Sequence, residues 1–174
     1  MKSTKKLTLS AIMVALGTVF MALGSVIEVL DLSVCAVASL IVVFIYLELG
    51  SSYAWMVYLA TSLAAAIVVP SKLMFLEYFL VFGIYPLLKA FIERLPRWSW
   101  ILVKLVFINV IIWTIFFFAE VLLGIPFIEG DTLLYKAGLY IFMNITFIVY
   151  DLFITVMVRF YYDKLRARFK RFLK

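Results

Sequence analysis

The sequence predicts an all-α integral membrane protein, a single domain over residues 1–174 built as a bundle of six transmembrane helices. Hydrophobic residues make up 67% of the chain and charged residues only 15%. Soluble domains are typically about half apolar and about a quarter charged. The mean hydropathy of +1.18 is high for the same reason. This composition is typical of proteins that cross a bilayer several times, and the length suits one domain.

Six apolar stretches are long enough to cross a membrane as helices. A spanning helix needs roughly 20 apolar residues, and a shorter one can span where its neighbours bury it. The first stretch carries no charge from Leu7 to Ile27, which is longer than the apolar region of a signal peptide, so we expect it to be retained. The predicted spans are 7–27, 33–49, 53–69, 73–92, 101–123 and 135–158, followed by a basic amphipathic tail at 159–174.

Two residues predict where the helices turn or bend. Gly50 lies between the second and third spans, and glycine accepts the left-handed backbone angles of a tight turn. Pro86 lies inside the fourth span, where it removes a backbone hydrogen bond. We therefore expect a kink one turn earlier, near Phe82 and Gly83.

The distribution of lysine and arginine predicts the orientation. With six spans, both termini lie on one side, and that side collects all of the 16 basic residues except Lys72 and Lys136. The loops of the opposite side carry Glu28, Asp31, Glu129 and Asp131 instead. Because cytoplasmic loops are enriched in Lys and Arg, we expect a multi-pass protein of the cell membrane with both termini in the cytoplasm.

Missing residue types exclude several functions. The chain has no histidine and only one cysteine, Cys35, which removes the commonest general base, the usual metal ligands and any intrachain disulfide. No phosphate-binding loop, hydrolase motif or dinucleotide fingerprint occurs. We expect no catalytic residue, no cofactor and no metal, and an intramembrane enzyme is the least favoured reading because the acidic residues are scattered. Basic residues at span ends also explain the net charge of +6 without nucleic acid.

Two ionisable residues inside spans predict a structural ion pair. Lys104 lies one turn inside the fifth span and Asp151 about two turns inside the sixth, at similar depth from the inner side. An unpaired charge in lipid costs about 2.5–3.5 kcal/mol even on lenient scales. We therefore expect Lys104 and Asp151 to tie the two spans together, with a role in gating or coupling as the alternative.

Polar and aromatic residues in the outer halves of spans four to six predict a pocket for a small polar solute. Pockets of this kind are mostly apolar, with a few polar groups that orient the ligand. Two carboxylates among aromatic rings would favour a cationic or ring-nitrogen solute. The alternative is interfacial solvation of the carboxylates, with Lys72 and Lys136 as partners. The candidate residues are Glu77, Tyr78, Asn109, Trp113, Glu120, Tyr140 and Asn144.

Small residues form one face of the first span. Ala11, Ala15, Thr18, Ala22 and Ser25 recur at spacings of four and three, which places them on one side of a helix. Such a face lets another helix approach closely in lipid, where packing drives association. We expect this face to be a docking surface.

The first fifty residues resemble the substrate-binding (S) components of energy-coupling factor (ECF) transporters, the vitamin-uptake relatives of ABC importers. The opening KKLTLSAIMVALGTVF contains an A-x-x-x-A motif at Ala11 and Ala15. Asp31-Leu32-Ser33 is similar to the turn that enters the second span of that family, and Gly50 to the turn before its third.

The resemblance implies a function. Ala11 and Ala15 would dock on a transmembrane coupling subunit, which is driven by two cytoplasmic ATPase subunits. The chain would capture a vitamin-like solute from outside, in a pocket formed by spans four to six. The alternative is a scaffold that transports nothing, such as a cell-shape or division-site subunit. In that case the small-residue face would dock a structural partner.

Overall fold

The protein is all-helical over the residues that the structure, a computed structural model, describes: 3–27, 30–123 and 133–166. No strand occurs in those ranges. The helices are α1 Ser3–Gly24, α2 Asp31–Leu49, α3 Ser51–Val68, α4 Lys72–Glu77, α5 Tyr85–Ile92, α6 Arg97–Leu123 and α7 Leu133–Phe160. Two π-helical segments, Tyr78–Phe82 and Tyr161–Leu165, follow α4 and α7.

Six helical stretches in the described ranges are long and apolar enough to cross a membrane, as the sequence predicts. They are Ser3–Gly24, Asp31–Leu49, Ser51–Val68, Lys72–Ile92, Arg97–Phe118 and Ala137–Leu165. The predicted outer-loop residues Glu28, Glu129 and Asp131, and the last part of the basic tail, lie outside the described residues.

The chain forms two compact units. Unit 1 comprises Met1–Leu87 with Leu152–Lys174, and unit 2 comprises Leu88–Asp151, so that α7 contributes to both. In unit 1, α1, α2 and α3 pack on one another, and α2 also packs on α4 and the first π-helical segment. Its fully buried side chains include Met21, Cys35, Ile45, Met74 and Tyr85.

The predicted turn at Gly50 is present. Gly50 separates α2 from α3 with a φ of 95°, in the region that favours glycine, and its N–H donates to the Tyr46 carbonyl at 3.2 Å. This bond takes up one of the carbonyls that the end of a helix leaves unpaired. A single residue therefore suffices to connect two membrane-length helices.

The fourth span is interrupted near the place that Pro86 predicts. The Gly83 N–H donates to the Tyr78 carbonyl five residues earlier at 2.7 Å, which closes a π-helical turn before α5. The Tyr58 hydroxyl of α3 donates to the Phe79 carbonyl at 2.9 Å. Irregular backbone within a membrane needs such partners because no water reaches it. Tyr58 therefore supports the segment from the side.

Candidate functional site

A buried ion network joins three helices of unit 2. The Asp151 carboxylate of α7 accepts hydrogen bonds from Lys104 of α6, at 3.0 and 2.8 Å, and from Lys89 of α5. The Lys89 ammonium also donates to the Asp151 backbone carbonyl at 2.8 Å. Glu93 lies farther away, 3.5 Å from Lys89 and 3.9 Å from Lys104. The predicted contact between Lys104 and Asp151 is therefore present, inside a larger network.

The side chains of the network differ in how far they are exposed. The Lys89 side chain is 6% exposed, and those of Lys104 and Asp151 are also mostly buried, whereas Glu93 is 39% exposed. One buried carboxylate between two buried ammonium groups leaves an excess positive charge. Glu93 offsets that charge from the edge of the network. Buried pairs are weak contributors to net stability, but breaking one is costly, so this arrangement specifies how α5, α6 and α7 pack within unit 2.

Lys89 was missed as a network member from the sequence. It lies within the predicted fourth span, one helical turn before Glu93, and from the sequence it counts only among the basic residues that predict the orientation of the chain. A signal was present, since a lysine inside a span needs a partner as much as Lys104 does.

Three of the predicted pocket residues meet in unit 2. The Tyr140 hydroxyl of α7 donates to the Asn109 side-chain carbonyl of α6, and the Asn144 amide lies 3.5 Å from the same oxygen. Both amides also donate to their own helices, Asn109 to the Leu105 carbonyl at 2.7 Å and Asn144 to the Tyr140 carbonyl at 3.0 Å. The cluster is uncharged and has both donors and acceptors, so it can orient a neutral polar group.

Two open hollows lie along α6 on either side of Asn109. The first, of about 710 Å³, is lined by Trp98, Ile101, Leu102, Leu105, Val106, Asn109 and Val110. The second, of about 680 Å³, is lined by Asn109, Val110, Trp113, Thr114, Phe117 and Phe118. The predicted residue Trp113 therefore lies near Asn109, but its side chain is 70% exposed. Glu120 is exposed and lies eleven residues beyond Asn109, about 16 Å along the helix.

The remaining predicted pocket residues belong to unit 1. Glu77 ends α4 and is partly buried, and Tyr78 begins the first π-helical segment with no exposed surface. Lys72, a partner of the carboxylates in the alternative to a pocket, donates to the Ala66 and Val69 carbonyls at 3.0 and 3.5 Å. It therefore satisfies carbonyls at the end of α3. The side chain of Lys136 lies outside the described residues.

The small-residue face of α1 is divided between two environments. Ser10, Gly17, Thr18, Met21 and Gly24 are buried. Ala11 and Ala15 are exposed. Of the predicted face, Thr18 is thus buried in unit 1, Ala22 and Ser25 are partly buried, and Ala11 and Ala15 remain at the surface.

A second polar contact, at the end of α2, was not foreseen. The Tyr161 hydroxyl donates to the Glu48 carboxylate at 2.7 Å, and Arg166 lies 3.8 Å from the same oxygen. The Phe44 ring packs edge-on against Tyr161. These contacts fasten the second π-helical segment, which follows α7, to α2 within unit 1.

Comparisons with protein-family models, curated proteins and solved structures find no match to this chain.

Proposed function

We propose that the chain is a substrate-capture subunit of an ECF-type importer in the cell membrane, with both termini in the cytoplasm. It binds a small vitamin-like solute from the outer side and performs no chemistry itself. Its partners are a transmembrane coupling subunit and two cytoplasmic ATPase subunits, since the chain has no phosphate-binding loop of its own.

The observation that carries the proposal is the exposure of Ala11 and Ala15 on α1. Other residues of α1, among them Gly17, Thr18 and Met21, are buried where the helix packs against α2 and α3, whereas the two alanines are exposed. Alanines four residues apart form a flat strip on which a second helix backbone can lie closely. This is the kind of surface that a membrane-embedded coupling subunit needs.

The Asn109–Tyr140–Asn144 cluster supports the solute side of the proposal. Asn109 of this cluster shares the second hollow with the aromatic residues Trp113, Phe117 and Phe118. Polar groups that orient a ligand against apolar and aromatic walls are typical of small-molecule sites. The uncharged cluster favours a neutral polar group of the solute at this point.

Tryptophan substitutions on α1 test the docking step. We expect Ala11→Trp and Ala15→Trp to abolish co-purification with the coupling and ATPase subunits from native membranes, measured by mass spectrometry of the tagged chain. Ala60→Trp is the matched control, because Ala60 is an equally small, exposed residue on α3. The proposal fails if the two α1 variants retain these partners, or if the unsubstituted chain co-purifies with no ATPase.

The second candidate is a membrane scaffold, and one observation favours it. The two hollows on α6 are open and mainly apolar rather than enclosed, as a surface for a structural partner would be. A thermal-shift panel of vitamins and their precursors separates the two functions. Stabilisation by one compound, lost in Asn109→Leu, supports solute capture. A panel without any stabilising compound favours the scaffold.

A further inference from the structure

We propose that the Arg97 end of α6 binds an anionic glycerophospholipid. The phosphate-bearing headgroup contacts Arg94 and Arg97, and one acyl chain lies along the first hollow on α6. Of the residues proposed for solute capture, only Asn109 also lines this hollow. It rests on the charges around the α5–α6 turn and on the shape of one face of α6, all within unit 2.

The charges around the turn leave two exposed cations. Lys89 and Lys104 are matched by Asp151 and Glu93 in the buried network, so those four residues carry no net charge together. Arg94 and Arg97, on either side of Pro96, are both exposed. The turn therefore presents two exposed guanidinium groups next to an ion network that carries no net charge. Guanidinium groups bind phosphate oxygens through paired N–H donors.

The first hollow begins next to these arginines. Trp98, which follows Arg97, lies at its start and is 81% exposed, and Ile101 is one turn farther on. The hollow continues to Val110, twelve residues from Trp98, which is about 18 Å along the helix. That length is close to half of a hydrocarbon core of about 30 Å, the depth of one leaflet.

The lining of the hollow suits an acyl chain. Ile101, Leu102 and Leu105 are apolar and exposed, and the polar side chain of Asn109 is already bonded to the Leu105 carbonyl. Tryptophan at the start of a span is typical of the level of lipid headgroups. An anionic lipid would thus place its charge at the arginines and its chain on the apolar face.

The other end of α6 has the opposite charge. The second hollow ends at Phe117 and Phe118, and the exposed carboxylate of Glu120 follows two residues later. A carboxylate at this end repels an anionic headgroup. The charge difference between the two ends therefore predicts that anionic lipid selects the first hollow and zwitterionic lipid shows no such preference.

Tryptophan quenching by brominated lipids tests the site. The full-length protein is reconstituted in phosphatidylcholine vesicles that contain a minor fraction of either brominated phosphatidylglycerol or brominated phosphatidylcholine. We expect phosphatidylglycerol to quench more strongly at equal fraction, and Trp98→Phe to remove that difference. Each arginine near an anionic lipid contributes about fivefold in binding, so Arg94→Gln combined with Arg97→Gln should weaken the preference by about 25-fold.

A matched control separates a site from bulk charge. Arg159→Gln combined with Lys164→Gln removes two exposed basic residues from α7 and the π-helical segment that follows it, and should leave the quenching unchanged. The proposal is overturned if the control variant loses the preference equally, or if the Arg94 and Arg97 variant keeps it. It is also overturned if glycerol phosphate alone displaces the lipid, which would indicate a phosphate site without an acyl groove. Crosslinking of α6 to α6 of a second copy, at the expense of quenching, would assign the face to a dimer instead.

Discussion

Replacement of Asp151 by asparagine should destabilise unit 2 more than any other single change in the ion network. Among the residues that the structure describes, Asp151 is the carboxylate closest to both buried lysines, with 2.8 and 3.0 Å to Lys104 and a further contact to Lys89. Its loss removes that charge from beside two buried ammonium groups, and the Glu93 carboxylate lies 3.5–3.9 Å from them with a side chain that is 39% exposed. Breaking a buried ion pair from one side costs about 3–5 kcal/mol.

The double substitution gives the sharper test, because the effect of Lys104→Met on the free energy of unfolding should differ between the unsubstituted protein and the Asp151→Asn variant. In the unsubstituted protein, Lys104→Met removes charged hydrogen bonds and should cost about 1.5–3 kcal/mol, while the Lys89–Asp151 pair survives. In the Asp151→Asn background, the same substitution removes an uncompensated buried cation. It should then be neutral or stabilising. Non-additivity of this kind is what a double-mutant cycle measures.

Unfolding in detergent can be followed separately for the two units. Trp98, Trp100 and Trp113 lie in unit 2, so tryptophan fluorescence reports mainly on that unit. Cys35 is the only cysteine and is fully buried in unit 1, so a thiol-reactive dye reports its opening. For a chain of this size, 3–5 kcal/mol corresponds to a fall in Tm on the order of 10 °C.

Glu93→Gln serves as the control for the network. Its contacts are long and its side chain is substantially exposed, so it should cost about 0–1 kcal/mol. The reasoning is refuted if Lys104→Met has the same cost with and without Asp151. Equal costs would mean that the three buried charges contribute independently and that the network is not a unit.

Two further predictions concern the packing of unit 1. Gly83→Ala should lower the free energy of unfolding by about 1–3 kcal/mol, because the new Cβ would lie 2.7 Å from the Tyr58 ring. Gly138→Ala in α7 is the control: the space around it is open, so the substitution should be neutral or slightly stabilising in the same detergent unfolding assay. Tyr161→Phe should lower the stability by about 1 kcal/mol and speed proteolysis of the C-terminal end of α7, because it removes the bond to Glu48; protection equal to that of the unsubstituted protein would contradict this.

The number and approximate position of the spans could be predicted because hydropathy depends on each helix alone. A run of apolar residues needs a bilayer whatever its neighbours are. The boundaries were less exact: α6 begins at Arg97 rather than at 101, since a helix continues past the apolar window into polar residues. The π-helical segment could not be read from the sequence. Pro86 indicates an irregularity, but the support from Tyr58 depends on tertiary packing.

For the candidate site, the sequence predicts how deep each residue lies along its helix but not which helices pack together. Depth along a helix follows from counting residues, which is why Lys104 and Asp151 were expected to meet, whereas Asn109 and Tyr140 were expected only as members of one pocket. Which neighbouring helix supplies a further partner does not follow from counting. Lys89 therefore entered the network only when the packing of α5 was known.

Asn109 is the residue at which the two faces of α6 meet. Its side-chain oxygen accepts the Tyr140 hydroxyl of α7, while the same residue lines both open hollows. The preceding residue Ile108, and Ile112 one turn later, are buried, whereas the following residue Val110 is exposed. A solute held by the amide and a lipid chain in the first hollow would therefore both contact Asn109. Asn109→Leu should weaken solute binding but leave the preference for anionic lipid unchanged, because leucine keeps the lining of the first hollow apolar and the preference depends on the charges of Arg94 and Arg97. One substitution therefore distinguishes the two functions of this face.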